Sequence, residues 1–520
     1  TMNKEIYLDA NATSPTLSDA IAAAADAMRE RFGNPSSSHA AGLRAKAMLD
    51  AVRARARRLL GAGAGRLMFT SGATEGIQTA VLSALCDIRA RRQRGEAVGD
   101  LLVYGATEHK AVPESLAHWN QVLGTGLRLH PLAVDEAGRH RLDLLREVAP
   151  RAALVCTMAA NNETGVVSDL AAIEALLAER APGALWMVDS VQALGKLRLE
   201  LAATRIDYAP FSGHKLYAPK GVGMLYVRAG SPYTPLMVGG GQEDGQRSGT
   251  ENMAGIAALG AVLAALEDGA TIRSHARLSE FRDRLADALR AAFPGIVFNM
   301  PFEHSLPTTL NFSVAGLAGR DLLDLFDAAG VRVSAGSACS AAKSAPSYVL
   351  EAMGLPAWRT GAAVRMSFGP MADEAFIDAA CARIVHCGAA LRASPAPQGD
   401  AGDPLGDLLA SGAPPLDNGI GLDHAELENF LLAHPGARLI DVREAFEHAA
   451  GGVTSWHGRN VDSVPLSRLP QMASKWLSGE PAPLVFFCRS GNRSARAAHC
   501  LHRLGYQDAW HVAGGLALAR

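Results

Sequence analysis

At 520 residues the chain has room for about three domains at the usual 100 to 200 residues each. Hydrophobic residues make up 48 % and charged residues 20 %, ordinary globular usage that excludes a disordered or fibrous chain. The 50 basic and 52 acidic residues leave a formal charge of −2, so no global field gathers a polyanion or an anionic bilayer, and nucleic-acid binding is not expected.

In the N-terminal part, up to about residue 392, short apolar segments alternate with longer helical ones. Residues 66–70, 100–104, 152–157 and 185–189 read as strands, which predicts β-α units around a mostly parallel sheet. Residues 393–420 are rich in Pro, Gly, Ala and Asp and read as a linker. Beyond it, residues 437–442 and 484–488 read as buried strands, each followed by loop chemistry and a helix, so a second, small α/β domain of about 100 residues is expected. No apolar run approaches the ~18 residues of a membrane span, and Met2-Asn3-Lys4-Glu5 is followed by no signal-peptide core; a cytoplasmic location away from membranes is expected. Seven cysteines, with no C-x-x-C pair, argue against a disulfide scaffold, a structural zinc or a thioredoxin motif. Cys86, Cys156, Cys381, Cys387 and Cys500 fall in apolar helical or strand-like settings and read as packing residues.

Three segments of the N-terminal part carry chemistry. Lys215 stands in Ser212-Gly213-His214-Lys215-Leu216-Tyr217-Ala218-Pro219, which by itself fits a surface turn as well as an imine-forming lysine. Thr70-Ser71-Gly72-Ala73-Thr74-Glu75 lies between a strand and the helical run 76–85, where free N–H groups and the helix dipole hold a phosphate, although the same residues serve as ordinary caps. Asp189 closes the apolar run 185–188 at the carboxyl end of a strand, where α/β sheets bind ligands and where a carboxylate can keep a pyridine nitrogen protonated.

Together with Tyr7-Leu8-Asp9, Gly33-Asn34-Pro35-Ser36-Ser37, Glu108-His109-Lys110-Ala111-Val112, Asn161-Asn162-Glu163-Thr164-Gly165, Val188-Asp189-Ser190-Val191-Gln192 and Arg247-Ser248-Gly249-Thr250, these segments resemble the class V aminotransferase-like, pyridoxal-phosphate-dependent cysteine desulfurases of the NifS and IscS type. The resemblance covers nearly all of residues 6–390. It implies a fold type I transferase with a large cofactor domain at about 20–254 and a small domain at about 255–392 joined by the N-terminus. By the same resemblance Lys215 would carry the cofactor aldehyde, His109 would stack on its ring and assist proton transfer, and Asp189 would pair with the ring nitrogen. Asn162 and Gln192 would bond the ring oxygen, and Ala73, Thr74, Ser212 and His214 would hold the phosphate. Thr250 would reach it from the other subunit of a homodimer.

A cysteine and an arginine narrow the reaction. Residues 334–347 have the small, polar composition of a mobile loop, and Cys339 is the one large reactive group within it. The loop resembles the G-S-A-C-S segment of the NifS/IscS group, which makes Cys339 the persulfide-forming nucleophile. Arg365 in Val364-Arg365-Met366-Ser367 matches the arginine that grips the substrate carboxylate, with Asn34 as a further substrate contact; Pro370 stands where the family usually has arginine. The implied reaction converts L-cysteine to L-alanine and a Cys339 persulfide. A selenocysteine lyase or another class V lyase or aminotransferase is the alternative.

In the second domain, Cys488-Arg489-Ser490-Gly491-Asn492-Arg493-Ser494 follows an apolar strand and precedes the helical run 495–504. Successive N–H groups would converge on the Cys488 sulfur, and the helix N-terminus with Arg489 and Arg493 would favour its thiolate. With Asp441-Val442-Arg443-Glu444, Val464-Pro465-Leu466 and Ala513-Gly514-Gly515, residues 421–520 resemble the rhodanese family of sulfurtransferases, although Gly452-Val453-Thr454-Ser455-Trp456-His457 replaces the usual G-H-I-x-G-A. Two such modules in one chain imply a relay from Cys339 to Cys488 and on to an acceptor protein, an iron–sulfur scaffold or a sulfur carrier. The competing expectation is a non-catalytic recruitment module.

Overall fold

The computed structural model describes residues 5–336, 345–395 and 419–519. Its strands run in chain order as β1 (Ile6–Tyr7), β2 (Arg66–Thr70), β3 (Leu101–Gly105), β4 (Arg128–Leu132), β5 (Ala152–Met158), β6 (Leu185–Asp189), β7 (Tyr208–Ser212) and β8 (Gly223–Val227). There follow β9 (Ile296–Phe298), β10 (Thr309–Val314), β11 (Val331–Arg332), β12 (Ser334–Ala335) and β13 (Val364–Ser367). The C-terminal part holds β14 (Gly421–Leu422), β15 (Arg438–Asp441), β16 (Ser455–Trp456), β17 (Arg459–Ser463), β18 (Leu484–Phe487) and β19 (Ala509–Val512).

Seven of these form the large sheet, in the order β2-β8-β7-β6-β5-β3-β4. Strands β5 to β8 are buried at every position, as expected of strands covered by helices on both faces, which then read as continuous apolar runs. The sheet departs from the parallel expectation at β8, which pairs antiparallel with both β2 and β7. An antiparallel neighbour needs no helical crossover. The connection 213–222 therefore stays at the sheet edge and keeps Lys215 there.

The small domain is built on the antiparallel sheet β12-β13-β10-β9. The chain's start joins it: β1 pairs parallel with β11, and Asp9 bridges to Ser367 at the end of β13. That pairing brings the polar residues after Tyr7 against Arg365, at the centre of β13. Helices His275–Ala292 and Glu374–Ala393 pack together over an apolar core that includes Phe281, Phe312, Phe326 and Ile377.

The C-terminal sheet has the order β14-β19-β18-β15-β17-β16 and is parallel except at its β16 edge. Its helix Ala445–Gly451 lies against the small domain, where Phe446 and Ala450 enter the same apolar cluster as Leu325, Phe326 and Cys387. His386 on the small domain's last helix meets the Ala450 carbonyl oxygen at 2.8 Å. Among the described residues no helix is long and apolar enough to cross a membrane.

Candidate active site

The carboxyl ends of β5, β6 and β7 lie on one edge of the large sheet and deliver Asn161-Asn162, Asp189 and Ser212 to it. Lys215 follows β7 and sends Nζ to the carbonyl oxygens of Asn11 at 2.7 Å and Ala12 at 2.9 Å. Asn11 in turn donates from Nδ2 to the Asn162 carbonyl oxygen at 3.1 Å, and Arg365 Nη1 donates to that same oxygen at 3.1 Å. Arg365 is 0 % exposed, and its Nη2 is held by Asp9 Oδ1 at 2.9 Å. Ser334 of β12 donates to that Asp9 oxygen at 2.6 Å. Residues from the first strand, the large sheet and the small domain thus meet around one lysine.

The charges in this cleft are tuned mainly by burial. Asp189 is 7 % exposed, and burial pushes it up to about 6, against the Val191 N–H and the Lys215 charge, which both favour its ionised form. His109 is lowered below its ordinary value by burial and by the charges of Lys215 and Lys110, so its ring is neutral at pH 7. Lys196 is half-buried, and burial together with Lys215 and Arg365 lowers it to about 7. Its Nζ donates to Gln192 Oε1 at 2.8 Å. Gln192 Nε2 and Asn162 Oδ1 are buried and have no hydrogen-bond partner among the described residues.

Those orphaned amide atoms are the test of whether the site fits the phosphorylated pyridine aldehyde that the sequence implies. Buried polar groups are normally bonded, so two orphans beside a buried carboxylate mark places for polar atoms of a ligand. The helix Ala73–Gln93 begins at the end of β2, and its N-cap Gly72 supplies no side-chain cap, so the first N–H groups, at Ala73 and Thr74, suit a phosphate. The residues fit pyridoxal phosphate.

Not every expected residue joins this group. His214 bonds Thr13 Oγ1 through Nδ1 at 3.0 Å. Asn34 is exposed, its Oδ1 accepts from the Ser36 N–H at 2.9 Å, and it shares no hydrogen bond with the Lys215 cluster among the described residues. Thr250 is exposed and lines, with Ser71 and Arg247, a cleft of about 240 Å³. Cys339 lies outside the described residues, as do residues 396–418 of the expected linker. Asn11 and Lys196 were not singled out from the sequence, and Asp9 was quoted only within Tyr7-Leu8-Asp9, without a role. Lys196 carried a usable signal, a cation four residues after Gln192; Asp9 and Asn11 carried only their place beside a short N-terminal strand.

The second thiol, Cys488, directly follows β18 and is 1 % exposed. One backbone N–H, from Gly491, reaches its Sγ at 3.1 Å, and Ser494 Oγ lies 3.6 Å away. Gly491 takes φ 96°, a left-handed conformation that spares it a Cβ strain and turns its N–H inward. The two arginines of the loop are engaged by carboxylates. Arg493 makes a two-pronged pair with buried Glu447, at 2.5 and 2.8 Å, and Arg489 reaches Asp324 of the small domain at 3.3 Å. Glu447 also accepts from the Glu444 N–H at 2.8 Å as part of a capping box, which ties the interface helix Ala445–Gly451 to the Cys488 loop. Of the cysteines expected to pack, Cys156, Cys387 and Cys500 are buried, and Cys86 and Cys381 are half-buried.

A mixed seven-strand sheet with its ligand edge facing a small antiparallel domain is the architecture of a NifS-like transferase, and comparison with known proteins bears on it directly. The family description Aminotransferase class-V matches residues 6–379, and Rhodanese-like domain matches residues 423–518. A cysteine desulfurase of Gluconacetobacter diazotrophicus is 38 % identical over 375 residues, covering 72 % of this chain and 90 % of that one. Another, from Bradyrhizobium diazoefficiens, is 37 % identical over 391 residues, covering 75 % and 96 %. A solved NifS-like protein superposes with a TM-score of 0.65 at 30 % identity, covering 74 % of this chain and 98 % of its own. The chain therefore belongs to the class V aminotransferase family, as a NifS-like cysteine desulfurase with a C-terminal rhodanese-like domain. Membership of that family implies pyridoxal phosphate as the cofactor.

Proposed function

We propose that this desulfurase takes sulfur from L-cysteine onto Cys339, passes it to Cys488 of its own rhodanese-like domain, and delivers it from there to an acceptor protein. The observation that carries the reading is the seating of the Cys488 loop. Arg489, next to Cys488, approaches Asp324 at 3.3 Å and Asp327 at 4.0 Å, and Asp327 also pairs with Arg332 at 2.6 Å. Arg332 ends β11, just ahead of β12, the strand that leads in sequence into the Cys339 segment. Ion pairs thus link the second thiol's loop to β11, which lies a few residues ahead of Cys339 in sequence, and this supports the relay.

Bound pyridoxal phosphate supplies an electron-accepting ring that stabilises negative charge at the substrate Cα. The chain does the rest. Arg365 clamps the substrate carboxylate with a fork that Asp9 already orients. Asp189, Asn162 and Gln192 hold the cofactor ring, Ala73, Thr74, Ser212 and His214 its phosphate, and Thr250 completes the partner's phosphate site in a homodimer. Lys215 Nζ takes the Cα proton, and the neutral His109 ring manages the protons of the departing sulfur. The Cys339 thiolate attacks the substrate sulfur, the Cβ–S bond breaks, alanine leaves, and the sulfur stays as a persulfide. The Cys488 thiolate then attacks the outer sulfur, the S–S bond breaks, and Cys339 is regenerated as a thiolate.

In this reading residues 1–392 form the desulfurase, 393–420 the tether and 421–520 the sulfur carrier, working in the cytoplasm and supplying an iron–sulfur scaffold or a comparable carrier. Replacing Cys488 with Ser tests it. With dithiothreitol as acceptor, alanine formation stays at the wild-type rate; in a separate assay without reductant, protein-bound label after exposure to cysteine radiolabelled at sulfur falls by about half, because one of two persulfide sites is gone. Unchanged bound label in that variant contradicts the relay.

A further inference from the structure

Asp324 sits on the helix Gly319–Ala328 of the desulfurase's small domain, whose apolar residues Leu322, Leu325 and Phe326 belong to the domain core. Its carboxylate is 7 % exposed and points into the other domain: Oδ1 lies 3.3 Å from Arg489 Nε, and Oδ2 lies 3.8 Å from Arg493 Nη2. These arginines flank the Cys488 loop, one directly after the cysteine and one in the first turn of the helix Asn492–Arg503. The carboxylate thus turns one oxygen toward each guanidinium, beside Glu447 on Arg493 and Asp327 at 4.0 Å from Arg489, and sets a fixed negative charge next to the loop's cations. Burial pushes Asp324 up to about 6, with Arg493 pulling the other way, so it is charged at neutral pH.

We infer that Asp324 is a specificity-determining residue of the sulfurtransferase site: by occupying the cationic mouth of the Cys488 loop it closes that thiol to dissolved anionic sulfur donors of the thiosulfate class. The inference rests on the reading of Cys488 as the sulfur-carrying thiol. Discrimination of this kind needs a repulsive element as well as an attractive one, and a fixed negative charge that also engages the local cations supplies it. Docking of the interface helix holds the arrangement in place, since Phe446 and Ala450 are buried against the same small-domain core that anchors Asp324. Thiosulfate transfer would require the Cys488 thiolate to attack the outer sulfur of a dianion, break its S–S bond and release sulfite with the bonding pair. Cyanide would then remove the outer sulfur from the Cys488 persulfide as thiocyanate and restore the thiolate. With Asp324 in place, the first of these steps meets a carboxylate where it needs a cation.

The experiment uses the full-length holoenzyme and Asp324→Asn, which keeps side-chain shape and removes charge, with Asp324→Ser as a second variant. Peptide mass spectrometry gives the alkylation rate of Cys488 by anionic iodoacetate relative to neutral iodoacetamide, and a parallel assay follows thiocyanate from thiosulfate and cyanide. The expected result is a rise of about tenfold in the iodoacetate-to-iodoacetamide ratio, the scale on which local charge alters encounter rates. The KM for thiosulfate falls more than kcat rises, and alanine formation from cysteine is unchanged. An unchanged alkylation ratio in both variants overturns the inference, even if thiosulfate is turned over and the reading of Cys488 stands. A raised ratio with no thiocyanate from either variant keeps the charge gate and overturns thiosulfate as the class of donor it excludes; the sulfur-carrying role of Cys488 is tested separately, by labelled persulfide from cysteine.

Discussion

Glu108 is the most exacting residue of the site's surroundings. It is buried, no side-chain partner within hydrogen-bond distance is found for its carboxylate among the described residues, and burial, reinforced by the charge of Asp189 and opposed by the Met158 backbone, pushes it well above the usual carboxylate range. A carboxyl raised in the folded state contributes stability that is complete below its unfolded value and lost as pH rises through its folded value. Stability of the apoprotein should therefore fall on the alkaline side because of this group. Glu108→Gln removes the effect: its melting temperature should exceed that of the wild type by about a few degrees at pH 9 and by progressively less toward pH 5. Parallel melting curves across that range would contradict it. His140, also buried and unpaired, is lowered by burial to about 4. A histidine lowered in this way works with the opposite sign, and its contribution is lost as pH falls from its ordinary 6.5 toward about 4. Lys215, Asp189 and the start of the helix at Ala73 were legible in the sequence because their chemistry lies in contiguous segments beside strand ends. Asp9 and Asn11 were not, because their roles come from contacts with residues hundreds of positions away.

At the scale of elements, the helix Ala445–Gly451 joins the rhodanese-like domain to the desulfurase part of the chain. It is short, and its stability depends on its capping box and on burial of Phe446, which is 2 % exposed. Truncating that ring should cost about 3 kcal/mol of packing. In Phe446→Ala, backbone hydrogen exchange in the helix Gly319–Ala328 should quicken by about tenfold or more, while alanine formation from cysteine persists. Unaltered exchange there would mean that this helix does not hold the domains together. The interface was not foreseen from the sequence: nothing singled out Phe446 and Ala450, because no local signal distinguishes a face packed inward from one packed on a neighbour. The antiparallel β8 escaped notice for a related reason. A strand buried on both faces shows the same apolar run in either direction.

For the whole molecule, a separate C-terminal α/β unit was expected from the composition shift and the alternation of apolar and helical segments, whereas a large and a small domain in the N-terminal part were expected only from the family resemblance. The docking of the last unit on the small domain was not expected, because it depends on surfaces that form only after each part has folded. That docking underlies the proposed relay, in which sulfur released from cysteine moves from Cys339 to Cys488 within this protein. The direct measurement is peptide mass spectrometry of Cys488 after a brief exposure of the holoenzyme to isotopically labelled cysteine, in the wild type and in Cys339→Ser. The account predicts labelled persulfide on Cys488 in the wild type, appearing after label on Cys339, and none in the variant. Label on Cys488 without Cys339, or an unlabelled Cys488 in the intact enzyme, would contradict it.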